Sequence, residues 1–158
     1  MRLNWRMIFL PERGDTMASL SLRRARTIIR KTLETGRAGE MKPLSVIVLD
    51  AGGNVQAFER EDGASPGRFQ IAHAKAYGSV MLGMAGTAQK KRADEQGYFI
   101  TAAGAALGGQ LVPVPGGVLV RDAKGVVLGA VGVTGDTSDN DAAAAKAGIE
   151  SVGLTAEI

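Results

Sequence analysis

Residues 113–141, P-V-P-G-G-V-L-V-R-D-A-K-G-V-V-L-G-A-V-G-V-T-G-D-T-S-D-N-D, decide the fold. Val118, Leu119 and Val120 form a short aliphatic run behind the Gly116-Gly117 pair, and Val126 to Val133 forms a second. Asp122-Ala-Lys-Gly125 between them reads as a tight turn: Asp bonds its own backbone, and Gly accepts a positive φ without strain. Gly129 and Gly132 interrupt the second run and mark places where backbone or ligand approaches closely. Gly135-Asp136-Thr137-Ser138 then breaks the strand. Ser138 stands three residues before Asp141, the spacing of a capping-box variant, and the alanine-rich segment behind it favours a helix. The stretch is therefore strand, turn, strand and helix start.

Upstream, residues 98–107 read as a helix of small residues ending at Gly108-Gly109, and 86–97 as a short exposed helix with Lys90, Lys91, Arg92, Asp94 and Glu95. Residues 68–84 form a longer helix. At about 100° per residue, Phe69, His73, Ala76, Tyr77, Val80 and Met84 share one face, while Arg68, Ala72, Lys75 and Ser79 cluster on another. Gly78 and Gly83 permit close packing against it. Before it, residues 44–49 and 55–60 read as strands joined by the hairpin loop Asp50-Ala-Gly-Gly-Asn54. Residues 20–35 read as an amphipathic helix with a strongly basic solvent face, ended by Gly36 and Gly39. Hairpin-linked strands toward both ends with helices between favour an α+β domain on an antiparallel sheet.

Composition sets limits. A chain of 158 residues suits one domain with one core. Glycine is frequent, 22 residues, and scattered among apolar segments, which points to turns and close contacts in place of a linker. The net charge of +3 comes without a basic block or interleaved aromatics, so no nucleic-acid partner is expected. The absence of cysteine excludes disulfides, thiolate catalysis and Cys-ligated metals. No apolar run approaches the ~18 residues of a membrane span, and no membrane partner is expected. The apolar core Met7 to Leu10 is shorter than the roughly 7–15 residues of a signal peptide, which predicts a cytoplasmic protein. Residues 1–16 differ in character from the rest of the chain. They read as an N-terminal extension or arm, with Met17 as an alternative start and 17–158 as a single domain.

Several residues invite chemistry. Gly129-x-x-Gly132-x-x-Gly135 lacks the spacing and the Lys-Ser/Thr of a phosphate loop, and it faces Asp136, Asp139 and Asp141, which repel phosphate and suit a helix N-terminus. The same aspartates are oxygen donors for a hard cation, but D-x-x-D-x-D matches no EF-hand. His73, the only histidine, reads either as a packing residue or as an iron ligand or acid–base group. Tyr77, Met81 and Met84 are further conceivable iron ligands, although Met usually fills cores. Lys75, beside Arg68 on the polar side of its helix, is ordinarily solvated. It gains interest if the loop Pro115-Gly116-Gly117 folds over it, because the glycine amides and the lysine would together face a carboxylate or propionate.

The segments V-I-V-L-D-A-G-G-N-V-Q-A-F-E-R-E-D-G-A (46–64), I-A-x-x-K-A-Y-G (71–78), V-P-V-P-G-G-V-L-V (112–120) and V-L-G-A-V-G-V-T-G-D-T-S-D-N-D (127–141) resemble the haem-degrading domain family. That family includes GlcG-type and HbpS-type proteins and the C-terminal domain of PduO-type adenosyltransferases. The resemblance spans about residues 20–153 and implies a profilin-like α+β domain with a central antiparallel sheet, commonly assembled into homo-oligomers. Lys75, the Pro115-Gly116-Gly117 turn, the Asp50-Gly52-Gly53 hairpin and Asp136 with Asp141 match the family's motifs, whereas no iron ligand can be matched.

The function these readings imply is a cytoplasmic homo-oligomer that binds haem or a related tetrapyrrole, with Lys75, Pro115, Gly116, Gly117, His73 and Tyr77 as ligand-binding residues. The alternatives are an enzyme or accessory protein acting on a small organic acid, with Lys75 as anchor or base, and a structural subunit without ligand. Self-association is expected through the helix 68–84: the Phe69–Val80 face meets its own sheet and the side carrying Ile71, Ala74, Gly78, Met81 and Leu82 meets a second copy.

Overall fold

The structure, a computed structural model, describes residues 19–158; the readings of residues 1–16 as an extension and of Met17 as a start lie outside them. Five helices, α1 (Leu22–Ala38), α2 (Arg68–Leu82), α3 (Gly86–Glu95), α4 (Gly97–Ala106) and α5 (Ser138–Glu150), pack on five strands among the described residues. The strands are β1 (Ser45–Asp50), β2 (Val55–Arg60), β3 (Gly117–Arg121), β4 (Val127–Thr134) and β5 (Thr155–Glu157). They form one antiparallel sheet in the order β2-β1-β4-β3-β5, so the expected α+β architecture stands.

The central strands carry apolar residues on both faces because both faces are covered. Val46 and Val48 of β1, Val118 and Val120 of β3, and Val131 and Val133 of β4 point into the core beneath α1 and α5. Ile28 and Ile29 of α1 and Ile149 of α5 complete that layer, fully buried, each worth about 1.5–3 kcal/mol. Ile47, Leu49, Leu119 and Ala130 point the other way, toward α2. An extra residue in β4 separates the pairs Val120–Gly129 and Arg121–Val127. This bulge shifts the alternation by one residue, so that Leu128 joins the layer of Val131 and Val133 and Val127 turns toward α2.

The α2 layer is thin, and small residues are the reason. A Cβ on Gly132 would overlap the Ala72 carbonyl, and one on Gly117 would overlap the Lys75 carbonyl. The helix backbone therefore rests directly on β4 and β3. This rotates α2 away from the expected orientation, and of the expected inward face only Ala76 is fully buried. Ala72, Lys75, Ala76 and Ser79 lie buried against the sheet, whereas Phe69 and Met81 are exposed and His73, Tyr77 and Val80 half-buried. The bulky face cannot approach glycines as closely as the small one, so the small face wins.

The expected partner-facing side of α2 is also partly covered by the chain itself. Gly78 and Ala74 are buried, and the Leu111 side chain closes over Gly78. Of that side only Met81 is exposed, at 37%.

One local reading is corrected and one element is added. α5 is capped by Thr137, whose hydroxyl accepts from the Asn140 N–H at 3.3 Å, and not by Ser138. Asp141 points inward instead of closing a capping box. The short edge strand β5, only three residues long with mixed burial, carries too little pattern to be read from sequence.

Candidate functional site

Two clusters form around α2, and the sequence-selected residues divide between them. The first is buried. The loop Pro115-Gly116-Gly117 folds over Lys75, but the carboxylate that the lysine meets is the chain's own. Lys75 Nζ donates to Asp141 Oδ2 at 3.1 Å and to the Val133 carbonyl at 3.0 Å. Lys75 is 3% exposed and Asp141 1%. The other Asp141 oxygen accepts the Asp136 N–H at 3.0 Å. Gly116 has φ 110° and its absent Cβ would stand 2.8 Å from Lys75 Nζ, so only glycine seals this corner. The Gly116 carbonyl in turn accepts from the Val133 N–H at 2.8 Å.

Lys75 is thus not solvated. Burial pushes its ammonium below the ordinary lysine range, against the raising pull of Asp141. Burial likewise pushes Asp141 above the usual carboxylate range, opposed by Lys75 and the Asp136 N–H. Desolvation is the leading cause for both groups, so neither recovers from its partner all that it loses by leaving water.

The second cluster is on the surface. Phe58 of β2 meets Phe69 edge-on, with centroids 4.9 Å apart and planes at 88°. Phe69 then stacks near His73 at 6.0 Å, and His73 on Tyr77 at 5.3 Å and 19°. Spacing by four residues on one helix puts the three rings one above the next. The hairpin tip closes the end of this ladder: a Cβ on Gly53 would lie 2.8 Å from Met81 Cε and 3.1 Å from the Tyr77 ring. Asp50 shapes that tip by accepting the N–H groups of Gly52 and Asn54, both at 2.9 Å.

Beside the ladder lies an open apolar cavity of about 280 Å³, lined by Val55, Phe69, Gln70, His73 and Gln110. Partial burial pushes the His73 imidazole below the usual histidine range, which keeps it neutral at pH 7 with a lone pair to offer. This arrangement suits a flat, largely apolar ligand with an electrophilic centre. Pro115, Gly116, Gly117 and Lys75 are not brought to it; they hold α2 from beneath.

Sequence reasoning did not single out Phe58, Val55 or Gln110, which approach α2 from β2 and from the segment after α4. Nor did it pair Asp141 with Lys75, 66 residues earlier, because no local spacing records such a contact. Among the described residues no group of three or more His, Asp or Glu is placed to hold a metal ion, and no helix is long and apolar enough to cross a membrane.

A family model described as haem-degrading protein, HbpS-like, matches residues 20–150. A crystal structure of HbpS shares 25% identity, covering 92% of this chain and 98% of that one, with a TM-score of 0.75. A crystal structure of a PduOC–haem complex shares 21% identity over 87% of this chain and 97% of that one, with a TM-score of 0.77. The Klebsiella pneumoniae protein ORFY, assigned to DUF336, shares 21% identity over 90% and 96%, with a TM-score of 0.71. The two structures at 21% identity speak for the fold alone. No curated protein matches the chain.

Proposed function

The chain belongs to the HbpS-like family of haem-degrading proteins, and on that premise we propose that it binds haem, or a related flat tetrapyrrole, against the Phe69–His73–Tyr77 ladder. The observation that carries the reading is His73: a neutral imidazole set among stacked rings and opening on an apolar cavity. Imidazole nitrogen is a common axial donor to haem iron, and aromatic and aliphatic walls suit the macrocycle. The family description, a haem-degrading protein, supports the same ligand class.

The cavity, about 280 Å³, falls just below the ~300–1,000 Å³ typical of small-molecule sites. It therefore covers one face of such a ligand. The other face is to be supplied by a second copy, through the exposed apolar residues Phe69 and Met81 of α2. Lys75, Pro115, Gly116 and Gly117 enter the proposal as the support that fixes α2, with His73 and Tyr77 as the contacts. Anchoring an organic acid on Lys75 would require Asp141 to be displaced, so nothing in the geometry favours that alternative.

Titration of the purified protein with haemin tests the proposal. A saturable Soret shift is expected, and His73→Ala should change both the band position and the affinity. Absence of a saturable shift, or an unchanged spectrum in His73→Ala, overturns it.

A further inference from the structure

The opposite side of the molecule carries a separate feature. At 3.6 residues per turn, Arg23, Arg26, Arg30 and Arg37 of α1 fall within about 60° of one another. All four are exposed. Arg26, Arg30 and Arg37 line an open cavity of about 380 Å³ whose far wall is Glu59 of β2. It runs into a second cavity of about 510 Å³ through the shared Leu33, Arg37 and Glu59. The row of arginines thus overhangs β2, which is the outermost strand of the sheet.

That edge has backbone groups to offer. The Glu61 N–H donates to the Leu44 carbonyl, and Val46 pairs with Glu59 and Val48 with Ala57. By antiparallel alternation, the N–H and C=O groups of Phe58 and Arg60 point away from β1, toward the open edge.

The charges are also poorly compensated at home. Arg23, Arg24, Arg26, Arg30 and Lys31 precede the first acid of the helix, Glu34. Arg30 pairs with Glu34 at 3.0 Å and Arg37 with Glu61 at 3.9 Å, while Arg23 and Arg26 make no ion pair with the described residues. No acid occupies the first turn, where the helix dipole disfavours cations. The helix thus keeps cations where they weaken it, which is sensible if an anion is to be met there.

We propose that this groove binds an acidic polypeptide segment in extended conformation, added beside β2 as a further strand. Its alternate carboxylates would meet Arg26 and Arg30. Those arginines stand about 6 Å apart along the helix, close to the ~6.6–6.8 Å between i and i+2 side chains of a strand. A uniformly charged polyanion fits less well, because Glu59 faces the arginines and Glu61 and Asp62 line the far end beside Arg60. A flat anionic surface could not reach the backbone of the edge. The acids of the partner should accordingly concentrate at the end of the segment beside Arg26 and Arg30.

Fluorescence anisotropy with the full chain and labelled ten-residue peptides tests this. An alternating Glu-Thr peptide should bind saturably, and a Lys-Thr peptide of equal length should not. Arg26→Glu with Arg30→Glu should weaken the Glu-Thr peptide about tenfold, as should N-methylation of its edge-facing amides. Haemin titration of the same variant should be unchanged, since the two sites lie on opposite faces. Both arginines are exposed, and an unchanged unfolding temperature confirms that the variant folds. The proposal is overturned if the Glu-Thr peptide fails to saturate or binds the variant equally. Tighter binding of duplex RNA or phosphatidylserine vesicles than of the peptide also overturns it.

Discussion

Replacing Asp141 by Asn leaves Lys75 without its anion in a corner that is almost closed to water. The Asn carbonyl can still accept the Asp136 N–H, so the change isolates the charge. Lys75 then has two choices: remain charged and unpaired, or lose its proton. Deprotonation sets the scale. From the ordinary value of 10.5, release at pH 7 spans about 3.5 pH units at 1.36 kcal/mol each, so proton release by itself costs about 5 kcal/mol. Breaking a buried pair by removing one partner commonly costs about 3–5 kcal/mol, so the expected loss is of the same size. For Lys75→Met, protonating Asp141 from 3.8 spans about 3.2 units, a cost of about 4.4 kcal/mol.

The signs differ with pH. A lysine whose folded pKa is depressed destabilises at neutral pH, and that penalty relaxes as pH rises toward the unfolded value. Asp141→Asn should therefore recover stability between pH 7 and 10. An aspartate whose folded pKa is raised behaves oppositely, so Lys75→Met should recover as pH falls toward 4. The double variant Lys75→Met/Asp141→Asn carries neither charge and should lose less than either single variant. Urea unfolding of the wild type and the three variants at pH 5, 7 and 9 measures the cycle. Additive losses in the double variant, or single losses below about 1 kcal/mol, would refute a sealed, mutually dependent pair.

Four further outcomes are expected. Asp136, held to a pKa of about 2 chiefly by the Lys42 N–H, the Asn140 side chain and the Thr137 N–H, stabilises the fold above its unfolded value near 3.8. The advantage of wild type over Asp136→Asn should vanish as pH falls from about 4 to 2 in thermal melts. Gly132→Ala should cost about 1–3 kcal/mol because its Cβ meets the α2 backbone, which cannot rotate aside. Gly67→Ala, with open space around it, serves as a near-neutral control in the same denaturant series. Haemin affinity should fall as pH drops below the depressed His73 value, and a flat profile from pH 8 to 5 would argue against an imidazole ligand. Met81→Glu should lower the mass seen by light scattering if the exposed side of α2 joins two copies, and an unchanged mass would place the contact elsewhere.

Local patterns were enough to give the element order as far as α5. The alternation in Val55–Arg60, the glycine-marked turns at Asp50–Asn54 and Asp122–Gly125, and the alanine-rich run after Thr137 are decided by neighbours a few residues away. Such short-range physics is written along the chain. The four matching segments likewise carried the family, because they sit at the turns and close approaches where only certain residues fit.

The orientation of α2 was not legible. Its helical periodicity offers a bulky face and a small one, and hydrophobicity alone puts the bulky face inward. Gly117 and Gly132 decide otherwise, since they admit the small face to backbone contact, and they lie about 40 and 60 residues away in the chain. The same distance hides the fate of Lys75. A lysine on a helix reads as solvated until Asp141, brought across the sheet by the β4–α5 connection, gives the charge a partner. Sequence could therefore name His73, Tyr77, Lys75 and the Pro115–Gly117 loop together. Only tertiary packing separates them into a sealed support beneath α2 and an open aromatic ladder above it, because burial and pairing depend on residues that meet only when the sheet closes.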